Sequence, residues 1–141
     1  MIRPGIHQLV AGFSRRDAIS LEALELRKWF RDIGHDSEIW GEIPRISSED
    51  MREVRDIRQF RKRQSRDDIL LLHLSAGSQV NQIFADAPGR KVVLYHNITP
   101  SAAIRPFNAG FADTVCGFIP FLLQYRQLPA ADFPQISDQV S

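Results

Sequence analysis

The stretch Ile69-Leu70-Leu71-Leu72-His73-Leu74 is the most hydrophobic segment of the chain, and it decides the fold class. It follows Asp67-Asp68 directly. A continuous apolar run of this length is typical of a strand that is buried on both faces. Such strands occur in parallel sheets that are covered by helices. The segment therefore predicts one strand of a parallel α/β sheet.

The neighbouring segments alternate between strand and helix patterns. Residues 6–10, 37–40 and 91–95 are predicted strands, and residues 78–87 are a predicted short helix. A longer helix is predicted after Asp17 or Ser20, either of which can cap it, and Gly34 is predicted to end it. Its apolar positions, at steps of three and four, are Ile19, Ala23, Leu26, Phe30 and Ile33.

The charged segment 46–66 is predicted to hold a surface helix that begins near Ser48. Its apolar residues keep a helix-like spacing at Met51, Val54, Ile57 and Phe60. The alternation of strands and helices predicts a Rossmann-like, doubly wound parallel sheet with helices on both faces. We assign this domain to residues 1–114. Residues 115–141 carry scattered prolines and aromatics, and we expect an irregular tail there.

Composition excludes several classes of partner. The net charge is +1, and the arginines of segment 52–66 alternate with acidic residues, so we expect no nucleic-acid binding. The start of the chain does not resemble a signal peptide, and no apolar run is long enough to span a bilayer. We expect a cytoplasmic protein, with peripheral contact to the inner membrane surface as an alternative that stays open.

Three polar clusters follow predicted strands and should meet at the carboxyl edge of the sheet, where α/β proteins bind ligands. The first is the loop 12–17, which precedes the long helix. Helix N-terminal amides bind anions, so this loop is a candidate phosphate site, although a plain loop with Asp17 as cap is equally consistent. The candidate residues are Gly12, Phe13, Ser14, Arg16 and Asp17. One glycine is no dinucleotide fingerprint, and we expect no cofactor.

The other two clusters contain histidines. His73 is either a buried histidine satisfied by the backbone or a group that faces a sugar hydroxyl. His96 and Asn97 together offer donors and acceptors suited to polyols, and Thr99 lies in the same loop. We expect no metal site, because no third ligand stands at a recognisable spacing from the two histidines.

Several of these segments resemble the opening of bacterial family 4 glycosyltransferases of GT-B fold. The resemblance covers about residues 6 to 114, and its most specific part is the string Tyr95-His96-Asn97-Ile98-Thr99-Pro100. The other matching segments are 6–10, 17–20, 26–39 and 71–75. Relatives usually have a glycine where this chain has Arg16, and the match fades after Thr114.

The resemblance implies retaining transfer of a sugar from a nucleotide diphosphate sugar to a glycan or lipid-linked acceptor. It implies that His96 is catalytic, that His73, Asn97 and Thr99 bind the acceptor, and that the loop 12–17 approaches the donor phosphates. The donor domain of such enzymes has no counterpart here, so we expect the chain to be inactive alone. Two alternatives stay open, a stand-alone sugar- or glycolipid-binding module and one subunit of a split glycosyltransferase with a separate donor domain.

Overall fold

A computed structural model describes residues 3–96 and residue 106 of the chain. The strands and helices, in chain order, are β1 Ile6–Val10, α1 Ala18–Asp32, β2 Ile39–Gly41, β3 Arg55–Asp56, α2 Phe60–Arg63, β4 Ile69–Leu74, α3 Gln79–Asp86 and β5 Arg90–Tyr95. Three short 3₁₀ turns lie at Ile43–Arg45, Ser48–Asp50 and Ile57–Gln59. The fold is α/β, as predicted.

The five described strands form one parallel sheet in the order β3-β2-β1-β4-β5. This order equals the first five strands of the classic doubly wound sheet. The long apolar strand β4 lies between β1 and β5, which explains why it has no polar face. Its register places His73 beside Val10 on one side and beside Leu94 on the other.

Alternate residues of β1 enter two different hydrophobic clusters, because successive side chains of a strand point to opposite faces. Leu9 packs in a cluster that includes Leu72 of β4 and Phe84 of α3. Val10 packs in a second cluster that includes Ala23 of α1. All five residues of β1 are buried as a result.

The first helix begins where it was predicted to begin, but part of its predicted apolar stripe is exposed to solvent. The carboxylate of Asp17 accepts a hydrogen bond from the backbone N–H of Ser20 at 2.7 Å and caps α1. Gly34 has φ +95° just beyond the helix, a left-handed conformation that glycine adopts without strain. Ala23 is fully buried, whereas Ile33 is exposed to 40%, so the stripe leaves the core before the helix ends.

The prediction of a surface helix that begins near Ser48 is wrong, because only a short 3₁₀ turn, Ser48–Asp50, forms there. Residues 55–56 instead form the short strand β3, which pairs with β2, and the Asp56 side chain caps the turn that follows by accepting from the Arg58 N–H. Val54, Ile57 and Phe60 are buried as their spacing indicated, but Met51 is exposed. A spacing of three residues fits a strand followed by a tight turn as well as it fits a helix.

The other predicted strands lie close to their expected places, with β2 displaced from 37–40 to Ile39–Gly41. The boundary at residue 114 and the tail 115–141 lie outside the described residues. Within the described part of the chain, no helix combines the length and apolar character needed to cross a bilayer.

Candidate functional site

A cavity of about 410 Å³ opens at the carboxyl ends of β1 and β4. Its lining includes Gly12 and Asp17 from the loop after β1, Ser75 and Ala76 from the loop after β4, and Arg45. The parallel sheet brings these distant segments together, because all its strands end at the same edge. The cavity therefore lies where the sequence predicted a ligand site.

A series of hydrogen-bonded polar side chains lies in the sheet just below this edge. Gln8 and His73 are buried on the neighbouring strands β1 and β4, with exposures of 0% and 1%. The Nε2 atom of His73 lies 2.7 Å from Oε1 of Gln8, and Nδ1 of His73 lies 3.0 Å from Nε2 of His96. The two imidazole rings are nearly parallel, at an interplanar angle of 14°. The structure thus brings together both histidines of the predicted site.

The hydrogen bonds of Gln8 fix the tautomer of His73. The Nε2 group of Gln8 donates to the backbone carbonyl of Ala23 at 2.9 Å, so the carboxamide oxygen is the atom that faces His73. That oxygen can only accept, and the Nε2 atom of His73 must therefore carry the proton. The neutral His73 ring consequently presents a lone pair on Nδ1 toward His96, whose Nε2–H donates to it.

Both histidines are held in their neutral forms. Burial, with a smaller contribution from the charge of His96, lowers the pKa of His73 from 6.5 to about 3. Burial also lowers the pKa of His96, although the carboxylates of Glu22 and Asp17 oppose the shift. Because both ring nitrogens of His73 are already hydrogen-bonded, His96 is the ring of the pair that can accept a proton at neutral pH, and neither ring can serve as an acid.

Glu22 completes this group and was missed by sequence reasoning. It lies one turn into α1, and its Oε2 atom is 3.8 Å from Nε2 of His96. The ligating atoms of Glu22, His73 and His96 all lie within 4.8 Å of one another. Gln8 was missed as well, although an amide within the apolar strand 6–10 is a signal that could have found it.

The loop predicted to bind phosphate has little free hydrogen-bonding capacity. Each backbone N–H from Phe13 to Asp17 donates to an acceptor within the protein. The acceptors, in order, are the Arg45 carbonyl, Ser20 Oγ, Asp50 Oδ2, Ser14 Oγ and the Ser14 carbonyl, at 3.0 to 3.3 Å. An anion could contact these amides only by displacing an internal partner.

Four members of that loop hold the local structure together. Phe13 is 2% exposed, so its side chain belongs to the core and cannot face a ligand. A Cβ atom added to Gly12 would stand 3.0 Å from the Arg45 carbonyl oxygen, which explains the need for glycine at this close approach. The Ser14 amide and the Asp17 carboxylate both meet the Ser20 side chain, which ties the loop to α1.

The arginines of the loop differ in their availability to a ligand. Arg15 is paired with the buried carboxylate of Asp50, with Nε and Oδ1 3.1 Å apart. The Arg16 side chain is 84% exposed, and its contact with Glu49, at 3.6 Å, is a loose surface pair. Arg16 is therefore the cation of this loop that a phosphate could reach at small cost.

Arg45 and Glu42 are further site residues that sequence reasoning missed. Arg45 lines the cavity, donates to the Gly77 carbonyl at 2.8 Å and pairs with Glu42 at 3.0 Å. The Glu42 carboxylate also accepts from the Ser78 hydroxyl and the Gln79 N–H at the start of α3. These bonds fix the loop after β4 against the 3₁₀ turn after β2. The predicted residues Asn97 and Thr99 lie outside the described part of the chain.

Comparisons of the chain with protein-family models, with curated proteins and with solved structures found no match.

Proposed function

We propose that this chain is the acceptor-side domain of a retaining, nucleotide-sugar-dependent glycosyltransferase of GT-B type. The observation that carries the proposal is the cavity at the carboxyl ends of β1 and β4, with the His73–His96 pair close to the same edge. The parallel order 3-2-1-4-5 supports a Rossmann-like domain, and the two hydrophobic clusters support helices on both faces. Sugar transfer then requires a donor domain in addition to these residues.

The proposed binding of an acceptor sugar depends on side-chain and backbone groups that can form hydrogen bonds with its hydroxyls. His96 is neutral, partly exposed and fixed through His73, so it can accept a proton from an acceptor hydroxyl. Ser75, together with the backbone of the loop 75–77, offers further polar contacts at the cavity. Asn97 and Thr99 complete the proposed acceptor set. His73, which is buried, acts as a positioning residue.

The proposed contact with the phosphates of the donor nucleotide sugar depends on Arg16. The amides of the loop 13–17 already have internal partners, and the Asp17 carboxylate occupies the N-terminus of α1. A donor phosphate would therefore meet a guanidinium group before it met backbone amides.

Acceptor binding by the full 141-residue chain tests the proposal. We expect isothermal titration calorimetry to detect saturable binding of glycans or a short-chain lipid-linked sugar from a panel. Ala76→Phe should abolish that binding by filling the cavity, while Lys62→Phe, which adds the same ring on the exposed surface of α2, should not. Nucleotide sugars should be neither hydrolysed nor transferred. Failure of every glycan to bind, or transfer by the chain alone, would contradict the proposal.

One observation favours a second candidate, a stand-alone sugar- or glycolipid-binding module. The loop that would face a donor is hydrogen-bonded within the protein and needs no partner to satisfy its amides. Such a module would bind acceptors as above, but no separately produced donor domain would restore transfer. Restored transfer would instead identify one subunit of a split enzyme.

A further inference from the structure

Three side chains from different parts of the fold bring metal-ligating atoms within 4.8 Å of one another. Nδ1 of His73, at the end of β4, lies 3.0 Å from Nε2 of His96, which follows β5, and Oε2 of Glu22 on α1 lies 3.8 Å from the same Nε2 atom. We infer that Glu22, His73 and His96 form a binding site for a divalent cation of the zinc class. The inference goes beyond the proposed function and does not depend on it. A bound cation would occupy Nε2 of His96 and leave the proton on Nδ1, so cation binding and proton acceptance by His96 exclude each other.

The spacing of the three atoms suits a small tetrahedral ion. Zinc lies about 2.0–2.2 Å from nitrogen and oxygen ligands, so two ligands of a tetrahedral site stand about 3.3 Å apart. Two of the observed separations, 3.0 and 3.8 Å, bracket this value, and the third pair of atoms, on Glu22 and His73, lies within 4.8 Å. The Glu22 side chain is 45% exposed, and His96 is its only polar partner among residues 3–96, so it is free to turn inward.

The surroundings of His73 provide the second observation. A histidine that binds a metal almost always donates its other ring N–H to an oxygen acceptor, which fixes the ring and its tautomer. Nε2 of His73 does so to Gln8, whose own orientation is set by the Ala23 carbonyl. The lone pair on Nδ1 is thereby held toward Glu22 and His96. This buried support distinguishes the group from a chance surface cluster.

The protonation states allow binding with little rearrangement. His73 is already neutral at physiological pH, because burial lowers its pKa to about 3. His96 must move its proton from Nε2 to Nδ1 through solvent, which is accessible to its partly exposed ring. Two histidines, one glutamate and a water molecule form a known donor set for zinc sites that keep an open position. Imidazole and carboxylate together also favour zinc over magnesium or calcium.

Cobalt and zinc binding to the untagged full chain tests the inference. The experiment is best done in a Cys116→Ser background, so that the one thiol of the chain cannot act as a ligand. We expect one equivalent of Co²⁺ to bind after treatment with chelator and to give the intense visible absorption of a four-coordinate ion. Zn²⁺ should displace it and should raise the melting temperature.

Matched variants locate the ion. Glu22→Gln and His96→Ala should each weaken Co²⁺ binding by tenfold or more, whereas Glu25→Gln, on the same helix and exposed, should bind as the parent does. Circular dichroism shows whether each variant is folded. Absence of saturable binding in the parent, or unchanged affinity in both folded ligand variants, would overturn the inference. Sugar binding without cobalt binding would overturn it while leaving the proposed function intact.

Discussion

The Gln8 carboxamide oxygen and the His73 Nε2 atom lie 2.7 Å apart on neighbouring strands, and both side chains are buried. A buried polar pair of this kind is stable only when both partners remain, because each would otherwise lose its hydrogen bond away from water. The pair also fixes the tautomer of His73 and, through the hydrogen bond between the two imidazoles, holds His96 near the carboxyl edge of the sheet.

Replacing Gln8 by leucine should destabilise the protein by about 1–3 kcal/mol, because it leaves the His73 N–H buried without an acceptor. The double variant Gln8→Leu/His73→Leu should lose less than the sum of the two single variants. Urea unfolding of the four proteins measures this coupling. Strictly additive losses would show that the two side chains do not interact.

Gly12→Ala should destabilise the protein by about 1–3 kcal/mol, a typical cost of forcing atoms into a packed region. The added methyl group would stand 3.0 Å from the Arg45 carbonyl oxygen, which is backbone and already accepts from the Phe13 N–H. Thermal unfolding measures the loss. A variant as stable as the parent would indicate that the loop can withdraw from the 3₁₀ turn without cost.

Asp68→Asn tests the hydrogen bonds at the amino-terminal edge of the sheet, which lies opposite the cavity. The two carboxylate oxygens of Asp68, which is 7% exposed, accept from the backbone N–H groups of Gly5 and Ser65 at 3.0 and 2.7 Å. An amide offers one acceptor atom in place of two, so we expect a loss of about 1–3 kcal/mol in the free energy of unfolding. The neighbouring Asp67 is exposed, and Asp67→Asn should have little effect. Equal effects of the two substitutions would contradict this assignment.

The lowered pKa of Glu53 leads us to predict that the stability of the protein depends on pH. The hydrogen bond from Arg27 lowers the pKa of Glu53 below its usual 4.5, while partial burial opposes the shift. A lowered folded-state pKa contributes stability that is fully present above the unfolded-state pKa and is lost as pH falls through the folded-state value. The stability difference between the parent and Glu53→Gln should therefore be largest near neutral pH and should shrink below about pH 4.5.

Urea unfolding across this pH range measures the effect. Glu49→Gln serves as the control, because its carboxylate is 72% exposed and makes only a loose pair with Arg16. A parent-to-Glu53→Gln difference that stays constant on acidification would show that the ion pair with Arg27 does not contribute.

Local signals made several features predictable from sequence. The apolar run of β4 and the Asp17 cap of α1 depend on neighbouring residues, and both were found in their expected places. The segment 46–66 was misjudged because β3 forms only by pairing with β2, a contact that sequence periodicity does not report. Glu22 was not predictable for the same reason, since its partner His96 lies far along the chain and only the fold brings the two side chains together.

Amide chemical-shift mapping tests whether an acceptor sugar binds in the cavity at the carboxyl ends of β1 and β4. The full chain, labelled with ¹⁵N, would be titrated with the tightest-binding glycan from the panel. We predict that the largest shifts fall on Gly12, Ser75, Ala76 and His96, and that Asp68 and Arg90 at the opposite edge stay unchanged. Shifts confined to that opposite edge, or no saturable shifts at all, would contradict acceptor binding at the cavity.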